Sequence, residues 1–294
     1  MINFMRFRKI FFLISALVIL PGAVSLFLFG LQPSIDFTGG TLWELRGEFS
    51  DGEIRGVFER RGLSFEIQSS GESQLLIKTV PLESDLHQDL LAELREEVGE
   101  IEEVRFETLG PRLGAELLRK ALLAVALASL TILSYIAYRF RNFAYGAVAI
   151  LAMLHDTAVL LGVFSILGVA AGVEVGTLFV TAVLTTLSFS VHDTIVVFDR
   201  IREIRSRSGL GFEEAVNQAV AETLVRSLNN SLTIIFMLAA LFFLGGETLR
   251  WFVFALLVGT VSGTYSSTFT AAPLLIVWEN VSRKRNWRGI LRLH

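Results

Sequence analysis

Apolar positions along the 294-residue chain gather into long runs separated by short polar stretches, with one broad exception after the first run. A membrane-spanning helix needs roughly 20 predominantly apolar residues. The first such run is Ile10–Gly30, preceded by Arg6, Arg8 and Lys9. A cleaved signal peptide would carry an apolar core of about 7–15 residues and a small-residue cleavage site. This run is longer and lacks such a site, which favours a span. Five further runs lie at about 119–138, 143–167, 174–198, 224–244 and 250–278.

Residues 31–118 follow a different pattern. They predict a strand at Gly40–Arg46, a helix at Asp51–Arg61, strands at Ser64–Gln68 and Leu75–Val80, a helix at Glu83–Val98 and a strand at Val104–Thr108. Leu75, Ile77 and Thr79 alternate as one face of a strand does, while Leu86, Leu90, Leu91, Leu94 and Val98 recur at the helical period. The order βαββαβ predicts a small ferredoxin-like α+β domain with its helices on one sheet face. The expected fold is an α-helical membrane protein of six transmembrane helices with this domain inserted after the first. Its expected bounds are 1–30 for the N-terminus and first span, 31–118 for the inserted domain, 119–279 for spans two to six with a loop at 199–223, and 280–294 for a basic tail.

Charge assigns sides. Arg139 and Arg141 lie between spans two and three; Arg200, Arg202, Arg205 and Arg207 follow span four; Arg283, Lys284, Arg285 and Arg288 follow span six. The linkers 168–173 and 245–249 hold no Lys or Arg in their cores. The positive-inside rule then predicts cytoplasmic termini, a cytoplasmic 199–223 loop and an outer 31–118 domain. Within that loop Phe212, Ala215, Val216, Ala219 and Val220 form an amphipathic stripe, expected to lie at the interface or dock on the bundle. Composition agrees, at 52% hydrophobic and a mean hydropathy of +0.58. The absence of cysteine excludes disulfides and thiolate sites, and the four histidines form no HExxH pair. Neither a metal, a cofactor nor a nucleic-acid partner is expected.

Counting residues then forces polar groups into the bilayer. Phe143–Met153 is only 11 residues, so span three must continue through His155 and Asp156. Val175–Ser190 is 16 residues, so span four must take in His192 and Asp193. Leu232–Leu244 is 13 residues, so span five must reach back over Asn230, Asn229 and Arg226. A charge at mid-bilayer costs from about 3 to over 10 kcal/mol, so such residues face a bundle interior or a water cavity. Asp193 and Arg226 lie within about two turns of a span end, where an arginine can snorkel and an aspartate cannot reach far. Asp156 sits mid-span, where it serves either function or a hydrogen bond to a neighbouring helix. Asp193 and Arg226 are expected to face the interior together as a coupled pair. Thr181, Thr185, Ser188 and His192 add a polar stripe to span four. Gly259, Gly263, Ser267 and Ala271 give span six a small-residue packing face. The His-Asp-Thr triplets at 155–157 and 192–194 are too short to establish a repeat.

Four patches resemble one known family in order along the chain. They are Ile35-Asp36-Phe37-Thr38-Gly39-Gly40; Gly110-Pro111 with Leu113-Gly114 and Glu116-Leu117; the run His192 to Glu203; and Arg226-Ser227-Leu228-Asn229-Asn230-Ser231-Leu232-Thr233. Together with the one-plus-five span layout they resemble the SecF side of the SecD/SecF protein-export family, within the RND superfamily. His192 departs from the Asn common in that family, which alters the neighbour of the Asp193 carboxylate. The resemblance implies pairing with SecD and work beside the SecYEG translocon in the bacterial inner membrane, with YajC and unfolded preproteins among its partners and lipid around it. It implies proton flow that promotes late translocation, with Asp193 and Arg226 on the proton path. Asp156 and His192 join them as candidate relay residues. Asp36, Thr38, Gly39 and Gly40 are candidates for a hinge or structural junction, where paired glycines suit a tight turn.

Other functions fit less well. A half-size RND-type small-molecule exporter would need larger outer domains than the 88 residues at 31–118. An intramembrane hydrolase would need HExxH or a nucleophile motif such as GxSxG, and neither occurs. A passive scaffold would not require Asp156, Asp193 and Arg226 in the bilayer.

Overall fold

The structure is a computed structural model describing residues 3–69, 74–140 and 142–290. A 3-10 turn at Phe4–Phe7 leads into α1 (Arg8–Phe29), followed by the one-turn α2 (Ile35–Thr38). Then come β1 (Gly40–Gly47), α3 (Asp51–Arg60), β2 (Phe65–Ser69), β3 (Gln74–Thr79), α4 (Ser84–Val98) and β4 (Ile101–Leu109). The remainder is helical: α5 (Pro111–Arg139), α6 (Phe143–Ala171), α7 (Thr177–Arg207), α8 (Phe212–Leu244), α9 (Glu247–Ser266), a π turn (Ser267–Ala271) and α10 (Ala272–Ile290). Six helices among the described residues are long and apolar enough to cross a membrane, the sixth being Thr248–Ser282 through the π turn. The chain divides into two compact units, residues 33–123 and the remainder.

In the smaller unit a four-stranded sheet has the order β2-β3-β1-β4, and each of its pairings is antiparallel. Alternation sets which side chains go inward: Leu75 and Ile77 of β3 are buried with Trp43 and Leu45 of β1. Ile54, Val57 and Phe58 of α3, with Leu90 and Leu94 of α4, complete that core. Helix α3 starts where the Ser50 backbone N–H and hydroxyl both donate to Glu53 at 2.9 Å. Those bonds hold the Glu53 carboxyl below its ordinary value of 4.5. Arg60 of α3 and Arg61 just after it pair with Glu93 of α4, and Arg60 also with Glu97.

At the start of this unit Gly39 ends α2 with φ 73° and Gly40 enters β1 with φ 132°, conformations that only glycine adopts without strain. A Cβ on Gly39 would lie 2.7 Å from Pro111 Cα, and one on Gly114 would lie 2.8 Å from the Gly39 nitrogen. Two patches separated in sequence, 35–40 and 110–114, therefore meet backbone to backbone.

In the larger unit α6, α7 and the sixth span form the interior, each with half or more of its apolar stretch buried; α1, α5 and α8 are largely outward-facing. Gly22 of α1 and Gly162 of α6 approach so closely that a Cβ on either would stand 2.7 Å from the other's Cα. The small-residue face of span six packs as anticipated: a Cβ at Gly259 would overlap the Thr186 side chain, and Gly263 lies against Phe189 and Ser190.

Two expected boundaries shift. The segment 199–223 is mostly helix, with α7 running to Arg207 and α8 beginning at Phe212. The amphipathic stripe continues into span five, and burying Ala215, Val216, Ala219 and Val220 in the bundle core stabilises helix beyond the apolar run. Likewise α5 starts at Pro111 rather than near 119, since proline suits a first helical turn. Arg141 and the end of the expected basic tail, 291–294, lie outside the described residues.

Candidate functional site

Two carboxylates lie inside the helical bundle. Asp156, midway along α6, is 1% exposed. Its Oδ1 accepts from Ser262 at 2.6 Å, and its Oδ2 accepts from Ser190 at 2.5 Å and Ser266 at 2.6 Å. His155 Nδ1 lies 3.0 Å from Oδ1. Short side chains bring these donors in: α9 approaches α7 across Gly259 and Gly263, so the serine hydroxyls reach the carboxylate.

Asp193 lies on α7 three residues beyond Ser190 and is also buried. Its Oδ2 accepts from the Ser227 hydroxyl of α8. One turn further along α8, Ser231 accepts from Thr264 of α9 at 2.6 Å. Hydroxyl contacts therefore close a circuit: α6 to α7 through Asp156–Ser190, α7 to α8 through Asp193–Ser227, α8 to α9 through Ser231–Thr264, and back through Ser262 and Ser266. Each such interhelical bond contributes about 0.6 kcal/mol on average, so the circuit does more for register than for total stability. The Thr186 and Thr268 hydroxyls are buried beside it without a hydrogen-bond partner.

The expected interior pairing of Asp193 with Arg226 is not formed. Arg226 is exposed, and its neighbour Ser227 takes the inward position. Consecutive helical side chains point about 100° apart, so only one of the two can face Asp193. His192 is likewise exposed, together with Thr181, Thr185 and Ser188 on the same face of α7. Asn229 and Asn230 are exposed beside Arg226 on α8. The site thus splits into an inward set, Asp156 and Asp193, and an outward polar set, His192 and Arg226. Asp36, Thr38, Gly39 and Gly40 form the α2–β1 junction, where the Thr38 hydroxyl donates to the Ser34 carbonyl at 3.1 Å. The serines that hold both carboxylates were not singled out from sequence. Ser190 and Ser227 lie beside flagged residues, yet a serine in a membrane helix carries no signal of its own. Among the described residues no His, Cys, Asp and Glu cluster of a size to hold a metal occurs.

A six-span helical bundle with buried, hydroxyl-bound carboxylates and an inserted small antiparallel sheet defines a class of multi-pass membrane protein with a polar interior. The chain matches the family described as Protein export membrane protein SecD/SecF, C-terminal, over residues 90–281, and the SecD/SecF GG Motif over 24–48. It is 46% identical to Protein translocase subunit SecF of Thermobaculum terrenum over 98% of this chain and 97% of that one. It is 39% identical to the SecF subunit of Anaerolinea thermophila over 98% and 97% of the two chains. The crystal structure of SecDF from Thermus thermophilus superposes with a TM-score of 0.84 at 35% identity, covering 95% of this chain and 39% of that one. The chain belongs to the SecD/SecF family of protein-export membrane proteins. It spans about two-fifths of the SecDF chain, whereas it matches the SecF chains nearly end to end.

Proposed function

We propose that this chain is the SecF-type half of a SecD–SecF accessory complex of the Sec translocon, in which the proton gradient promotes late translocation of preproteins across the bacterial inner membrane. The observation that carries this is the outward polar face of the bundle. Thr181, Thr185, Ser188 and His192 of α7, with Arg226, Asn229 and Asn230 of α8, are exposed on two of the helices long and apolar enough to cross a membrane. Facing lipid they would be costly, so a second membrane chain covers them. The SecDF chain, in which a segment like this one is joined to a further part, suggests a SecD-like chain for that role.

In this reading Asp193 takes and releases the proton. Ser227 holds its carboxylate in place, while Arg226 and His192 face the partner and respond to it. Asp156 keeps α6, α7 and α9 in register around the path. The sheet unit is a ferredoxin-like periplasmic domain that meets the preprotein, and the Asp36–Gly40 junction transmits movement to it. Both termini and the α7–α8 connection lie in the cytoplasm. SecYEG and YajC are the expected neighbours.

The test is an export assay in vesicles with an imposed proton gradient, alongside copurification with a SecD-like chain. Asp193→Asn should retain the partner and lose the gradient-dependent stimulation. Full stimulation in that variant, or a wild-type chain that captures no SecD-like partner, overturns the proposal.

A further inference from the structure

A cavity of about 420 Å³ lies between α1, α6 and α9. Ile14, Ser15 and Val18 line it from α1, His155 and Val159 from α6, and residues between 254 and 265 from α9. Contacts bound it at both ends. One turn beyond Val18 and Val159, the Gly22 and Gly162 backbones meet. At the other end the Tyr265 hydroxyl donates to the Phe11 carbonyl at 2.6 Å, and Ser15 Oγ lies 3.2 Å from Thr270 Oγ1. Helix α1 is thus fixed to the bundle on either side of a recess of definite size, within the range of small-ligand sites.

The wall is apolar because its polar atoms are already engaged elsewhere. His155 Nδ1 lies 3.0 Å from Asp156 Oδ1, and Nε2 lies 3.1 Å from Ser15 Oγ. The Ser262 hydroxyl donates to Asp156 Oδ1 at 2.6 Å, and that of Tyr265 is taken up by Phe11. What these side chains turn to the cavity is almost wholly carbon. Water needs two to four polar partners, which this wall does not supply. A ligand with its own donors and acceptors would leave them unpaired there, at the cost of their desolvation. Hydrocarbon has none to satisfy.

Depth narrows the occupant further. Ile14 and Val18 lie about two to three turns inside α1, and His155 and Val159 straddle the middle of α6. The α9 wall begins about two turns inside the sixth span. Lipid headgroups sit at the ends of spans, so at this depth the bilayer consists of acyl chains. Ile14, Val18 and Val261, which line the cavity, are also exposed on helices able to cross a membrane. The cavity is therefore continuous with the lipid-facing surface. A further helix, about 10–12 Å across, would need far more room.

We propose that this cavity binds one acyl chain of a membrane lipid, entering sideways between α1 and α9 and lying against Val159, Leu257 and Val258. The acyl chain joins α1 to α9 by dispersion contacts over the stretch between the two fixed ends. This site rests on the protein's place in a bilayer and not on the proton-coupled function proposed above.

The test is photolabelling of the full-length protein in phosphatidylcholine vesicles holding a small fraction of phosphatidylcholine with a diazirine near the methyl end of one acyl chain. Mass spectrometry then reads the labelled residues. The cavity wall should carry several-fold more label than Leu127 and Leu130, which are exposed on α5. Cavity label should saturate as the probe fraction rises, while label on α5 keeps rising. Val258→Phe, which places a ring in the cavity, should remove most of the cavity label and spare that on α5. Equal label at both places, in proportion to the probe throughout, means ordinary lipid contact only and overturns the proposal. Reaction of Val258→Cys with a water-soluble maleimide overturns it too, because water would then occupy the cavity. The wild-type labelling decides the matter even where Val258→Phe fails to fold. It is read without export or an imposed gradient, so its outcome is separate from that of the Asp193→Asn assay.

Discussion

At the scale of single residues, the bundle distinguishes two carboxylates by how they are held. Asp156 receives three serine hydroxyls, whereas Asp193 receives one, from Ser227. Removing one donor of three leaves most acceptors satisfied; removing the one hydroxyl donor that Asp193 has among the described residues leaves a buried carboxylate with its desolvation cost uncompensated. Ser227→Ala should therefore destabilise by about 1–3 kcal/mol, and any single serine-to-alanine change at 190, 262 or 266 by about 0.6 kcal/mol. Thermal unfolding of the purified chain in detergent checks this, and equal losses at all four positions would contradict it. Asp193 was legible in the sequence because a short apolar run had to include it. Its partner was not, because which of two adjacent residues faces inward depends on the rotation of α8.

At the scale of elements, close approach governs the helices and caps govern the small sheet unit. Backbone meets backbone at Gly22 and Gly162, so neither side can yield to an added methyl by rotating a side chain. Gly162→Ala or Gly22→Ala should cost about 1–3 kcal/mol by forcing α1 from α6. Combining the two should cost less than their sum, since the first change already separates the helices. Unfolding midpoints of the single and double variants measure this. In α3 the lowered Glu53 carboxyl sets a pH dependence with a definite sign. Its contribution is fully present above the ordinary value of 4.5 and is lost as pH falls through the lower folded value. Amides in the first turn of α3 should exchange faster below that range in the wild type, with a smaller change in Glu53→Gln. Boundaries of α3, α4 and the first three strands were readable within a residue from alternation, helical period and turn residues, whereas β4 starts three residues before its expected Val104. The end of α7 and start of α8 were not, because burial of Val216 and Val220 extends helix past the apolar run.

At the scale of the whole molecule, charge asymmetry and outward polarity carry the predictions. If the basic segments mark the cytoplasmic side, a cysteine introduced at Ser69 should react with a membrane-impermeant reagent applied outside the cell. One at Ser206, near the end of α7, should react only after the membrane is opened. The reverse pattern would invert the proposed orientation. Covering the outward face of α7 and α8 should likewise depend on a second chain. Replacing Arg226 by Ala should weaken copurification with a SecD-like chain more than it lowers the stability of the isolated chain. Equal loss of both would place Arg226 among the structural residues of this chain.

What the sequence determined by itself was whatever depends on local pattern and on length. Span number, the order of strands and helices in the inserted unit, and the presence of Asp156 and Asp193 within membrane-length helices all follow from periodicity and from the width of a bilayer. The tertiary structure alone decided which polar residues face each other. The rotation and spacing of α6 to α9 brought Ser190, Ser262 and Ser266 onto Asp156 and Ser227 onto Asp193, and turned Arg226 and His192 outward. The same packing set Ser15 against His155, two residues 140 positions apart in the chain. The reason is physical: a hydroxyl's bond energy is spent within about 3 Å, and no one-dimensional pattern specifies which distant helix supplies the other atom.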